Sequence, residues 1–102
     1  MAYRSVDPAT GEVLAVHAEA TEAEIEATIA AASTAAAAMP PLERRIAAMR
    51  AIAAAFREQE VELATTIARE MGKPVPQGIG EVRLVASIWD WYADRPELLD
   101  DR

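Results

Sequence analysis

The sequence predicts a mainly α-helical chain that opens with a β-hairpin. Three observations carry this. Residues 3–17, "YRSVDPATGEVLAVH", set two short runs with Tyr, Val and Leu around a turn-forming "DPATG". Residues 21–24, "TEAE", form a capping box, in which the Thr21 hydroxyl serves an orphan helix N–H and Glu24 reaches back. From there to about residue 94, large apolar residues recur at helical spacing.

In the hairpin, Asp7 accepts local backbone bonds, Pro8 presets the turn and Gly11 supplies positive φ. The first helix is predicted over 21–38, with Ile25, Ile29 and Ala32 on one face. "MPPLERR" ends it and starts a second helical region over 41–71, with Pro41 in the first turn. Leu42, Ile46, Met49, Ala53 and Phe56 form one stripe there, and Leu63, Ile67 and Met71 continue it. The polar "REQEVE" between them marks a kink or a short break. In "REMGKP" Gly72 is the left-handed stop and Pro74 blocks a restart. "KPVPQGIG" reads as a loop, because two prolines and two glycines oppose helix. A last helix is predicted over 79–94.

That last helix is apolar nearly all round. Val82, Val85, Trp89 and Tyr92 make one stripe; Leu84, Ile88 and Trp91 make another. Such a helix is buried on several sides. One hairpin and two Ala-rich helices cover one side of it. Apolar residues are 52% of the chain, but nearly half of them are alanine, which buries little area. The 102 residues therefore read as a partial domain that packs against further polypeptide, or self-associates through Leu84, Ile88, Trp89 and Trp91.

Composition excludes several functions. The formal net charge is −7 and no basic run exceeds two residues, which excludes a phosphate-backbone surface for nucleic acid. Without cysteine there is no disulfide, thiolate metal site or thiol nucleophile, and the chain suits the cytoplasm. No apolar run approaches a membrane span. The single histidine, His17, cannot build a transition-metal site alone. "GIG" lacks the third glycine of a dinucleotide loop, and Pro74 stands where a phosphate loop needs Ser or Thr. Glu22, Glu24 and Glu26, like Glu58, Glu60 and Glu62, read as solvated helix faces. "WDWY" at 89–92 reads as packing surface rather than an aromatic binding platform. Glu70 stands out. It adds a carboxylate to a helix C-terminus, where orphan carbonyls already favour cations. Such hard oxygens suit Na⁺, K⁺ or Mg²⁺, and pairing with Arg69 or Lys73 is the plain alternative.

"SVDPATGEV" (5–13), "ATEAEIEATIAAA" (20–32), "PLERR" (41–45), "EMGKP" (70–74), "GEV" (80–82) and "WYA" (91–93) occur in an order and spacing that resemble the N-terminal part of NAD(P)-dependent aldehyde dehydrogenases, nearest the succinate-semialdehyde dehydrogenases. The resemblance covers almost the whole chain. It implies the opening hairpin and helices of the α/β cofactor-binding domain, in enzymes several times longer. Those enzymes oxidise an aldehyde through a cysteine thiohemiacetal, pass hydride to NAD(P)⁺ and hydrolyse the thioester with a glutamate base. The cysteine, the glutamate base and the cofactor-contacting strands would lie beyond Arg102. The chain alone is therefore expected to bind no NAD or NADP and to be inactive, with the remainder of the polypeptide as its partner. The resemblance further implies a monovalent cation, Na⁺ or K⁺, held by backbone oxygens of Ser5 and Val6 with Glu70. It also places Glu81, Leu84, Val85 and Ile88 at a substrate entrance. The chain departs from the family pattern at "STAAAAMPP", "VPQGIG" and "DP" for "NP". The alternative reading, from another class, is a stand-alone helical interaction or dimerisation module.

Overall fold

The computed structural model describes residues 2–100, and its architecture is the predicted one: a two-stranded antiparallel hairpin followed by helices. β1 (Tyr3–Val6) pairs with β2 (Val13–His17), in register Tyr3↔His17 to Ser5↔Ala15, with an irregularity between Ser5 and Val6. The turn is tied by its own side chain. The Asp7 carboxylate accepts from the Ala9 N–H at 2.8 Å, and the Asp7 carbonyl accepts from Gly11 N–H at 2.8 Å. Gly11 takes φ 77°.

α1 (Glu22–Ala37) starts at the capping box. Thr21 N–H donates to Glu24 Oε2 at 2.8 Å, and Glu24 N–H donates to Thr21 Oγ1 at 3.3 Å. These bonds favour the ionised carboxylate and hold the Glu24 pKa below its ordinary value. No residue of α1 is buried, Ile25 and Ile29 included.

α2 (Leu42–Glu58) and α3 (Glu60–Met71) divide the region predicted as 41–71. The division falls at Gln59, where ψ is 16°. Turning there lets both helices pack on α4 (Val75–Ala93), which a single straight helix could not do. A short 3₁₀ turn, Pro96–Leu98, follows.

The predicted loop at 73–80 and helix start at 79 need correction, since α4 begins at Val75. Pro74 is the N-cap and Pro76 sits in the first turn, where an N–H has no intrahelical partner to lose. The Pro74 carbonyl then accepts from Gln77 N–H and Gly78 N–H, both at 3.0 Å. The prolines start the helix instead of delaying it.

The core is made of small residues. Ala53, Ala64, Val82, Ala86 and Ala93 are buried, as is Gly78, and no large side chain among the described residues is fully buried. Gly78, Val82 and Ala86 follow at four-residue spacing and carry α4 onto α2 and α3. Exposed ion pairs stitch the same seam. Arg57 reaches Asp90 at 2.7 Å, Arg50 reaches Asp94 at 2.8 Å, and Arg83 forks onto both Glu60 oxygens at 2.8 Å. That fork lowers the Glu60 pKa and raises that of Arg83. Exposed pairs of this kind add little stability, so their role is mainly register.

The chain is open in shape. Its radius of gyration is 17.8 Å, against about 13 Å for a compact domain of this length. It exposes 7733 Å², whereas a compact monomer of 11.0 kDa exposes about 5,600 Å². No described helix is long and apolar enough to cross a membrane.

Candidate functional site

Two places carry the residues singled out in the sequence: the junction of hairpin and α3, and the exposed side of α4.

At the first, Gly72 ends α3 with φ 77°, and its N–H donates to the Ala68 carbonyl at 2.9 Å. A Cβ on Gly72 would lie 3.2 Å from Pro8 Cγ. The hairpin turn is therefore seated on the end of α3, and β1 packs against that helix. Ser5 is half-buried, while Val6 and Glu70 are exposed. The Ser5 hydroxyl lies 3.5 Å from His17 Nε2. The structure thus brings the two elements carrying Ser5, Val6 and Glu70 side by side. Carbonyl and carboxylate oxygens are the hard donors that an alkali cation takes. No group of three or more His, Cys, Asp or Glu able to hold a metal occurs among the described residues.

At the second, α4 splits the four entrance residues. Glu81 and Val85 line a groove of about 220 Å³ together with Phe56, Leu63, Thr66, Ile67 and Val82. A smaller hollow of about 150 Å³, at the α2–α3 break, shares Phe56 and Leu63. Leu84 and Ile88 lie outside both hollows and face outward. Glu81 is salt-bridged to Lys73. Of the self-association set, Leu84, Ile88 and Trp91 are exposed. Trp89 is half-buried; it lies seven residues after Val82, on the inner face, and is not part of that stripe. Trp91 meets Tyr92 edge-to-face at 4.9 Å, and the Arg95 guanidinium stacks over Trp91 at 3.8 Å.

The sequence reading missed Arg95 and the Lys73–Glu81 and Glu60–Arg83 pairs. No local signal marks partners that are eight or twenty-three residues apart. It also read Gly78 as a helix breaker. A Cβ there would lie 3.1 Å from Ala64 Cβ and 3.2 Å from Ala64 Cα, so Gly78 is the contact point of α3 and α4. Gly78 and Gly80 both lie inside α4.

What these elements define is a hairpin-and-helix packing unit with an exposed apolar face on α4. Residues 1–102 match the aldehyde dehydrogenase family, and the chain belongs to it. It is 39% identical over 92 residues to the succinate semialdehyde dehydrogenase [NAD(P)+] of Escherichia coli, covering 88% of this chain and 20% of that protein. It is 36% identical over 103 residues to the succinate-semialdehyde dehydrogenase [NADP(+)] of Deinococcus radiodurans, covering 98% of this chain and 22% of that one. The N-succinylglutamate 5-semialdehyde dehydrogenase of Pseudomonas fluorescens is 40% identical over 83 residues, 79% of this chain and 17% of that protein. The chain spans about a fifth of the length of these relatives.

Proposed function

We propose that this chain serves as the N-terminal packing element of an aldehyde dehydrogenase that oxidises succinate semialdehyde, or a similar semialdehyde, to the acid with NAD(P)⁺. The observation that carries the reading is surface. The chain exposes about 2,100 Å² more than a compact monomer of its mass, an excess the size of one side of a permanent interface. The relatives supply the kind of partner: the rest of an aldehyde dehydrogenase polypeptide, covering α1 and the open side of α4. No step of the reaction is assigned to the described residues, which hold no thiol. The purified chain is expected to form no NAD(P)H with succinate semialdehyde. Added to a relative trimmed of its matching first fifth, it should restore measurable turnover. Turnover by the chain alone would overturn the reading.

Under the same proposal, Ser5 and Val6 carbonyls and the Glu70 carboxylate hold Na⁺ or K⁺, and Glu81 and Val85 face the substrate entrance. The seating of Pro8 on Gly72 supports the cation reading by setting β1 beside the α3 end. The chain should melt a few degrees higher in Na⁺ or K⁺ than in a bulky organic cation of equal ionic strength, a shift equivalent to about 1 kcal/mol. Glu70→Gln should abolish that difference. An undiminished difference in the variant would remove Glu70 from the site.

A second reading, a helical module that self-associates, is favoured by one observation. Leu84, Ile88 and Trp91 line up outward on α4 at spacings of four and three residues.

A further inference from the structure

We draw no further inference here: the strongest candidate, the exposed apolar patch of Leu84, Ile88 and Trp91 on the outward side of α4, carries nothing, because nothing in the structure shows what covers it.

Discussion

Gly78→Leu is expected to separate α4 from α3 and to cost about 3 kcal/mol or more. A Cβ at this position already lies 3.1 Å from Ala64 Cβ and 3.2 Å from Ala64 Cα, and the latter atom is backbone. A whole leucine can be admitted only by moving the helices apart, and the ion pair from Glu60 to Arg83 spans the same joint. With a core of alanine, valine and glycine, the chain holds little stability in reserve, so the variant should be unfolded or molten at room temperature. Gly80 supplies the control. It lies in the same helix, and a Cβ added there would meet nothing within 4 Å, so Gly80→Leu should be neutral or gain about 1 kcal/mol from helix propensity. Urea midpoints measure both. Equal losses at the two positions would show that the Ala64 contact does not hold the helices together.

Gly72→Val is expected to cost about 2 kcal/mol and to release the hairpin from the end of α3. Two effects add there. The backbone stands at φ 77°, which a β-branched residue resists, and the new Cβ meets the Pro8 ring at 3.2 Å. Gly11 has the same φ with nothing nearby, so Gly11→Val carries the conformational effect without the ring contact. The excess loss at Gly72 therefore measures how firmly the turn is seated. In the Gly72 variant, chemical shifts of β1 and the turn should move toward those of an isolated hairpin while α4 keeps its own. Unchanged hairpin shifts would show that Pro8 does not anchor the turn.

The parts legible in the sequence were those fixed by bonds between near neighbours. The Asp7–Gly11 turn, the Thr21–Glu24 capping box and the left-handed Gly72 each depend on residues within five of one another. Their sequence signatures are specific for that reason. The start of α4 was not legible. The same two prolines stop a helix when they follow it and begin one when they fall in its first turn. The helical start goes with the packing of Gly78 on Ala64, and that contact joins residues on different helices. The over-apolar character of α4 could be read from its stripes, and the exposed Leu84, Ile88 and Trp91 match it. The stripes already grouped Trp89 with Val82; which stripe faces inward was not legible, and the buried Val82 settles it. For the candidate cation site, the sequence offered an odd carboxylate at Glu70. The fold adds the neighbouring strand, which no local pattern around Glu70 predicts.

α1 has a further consequence. Its bonds are its own: a capping box at one end and hydroxyl-to-carbonyl bonds from Thr28 and Thr34 along its length. A sixteen-residue helix rich in alanine is near the midpoint of the helix–coil balance in water, and a good cap tips it toward helix. A surface that receives α1 therefore meets a segment already close to its docked form. Little chain entropy remains to be lost on contact, and more of the burial of Ile25 and Ile29 appears as affinity. The exposed helix is in this sense a preorganised latch.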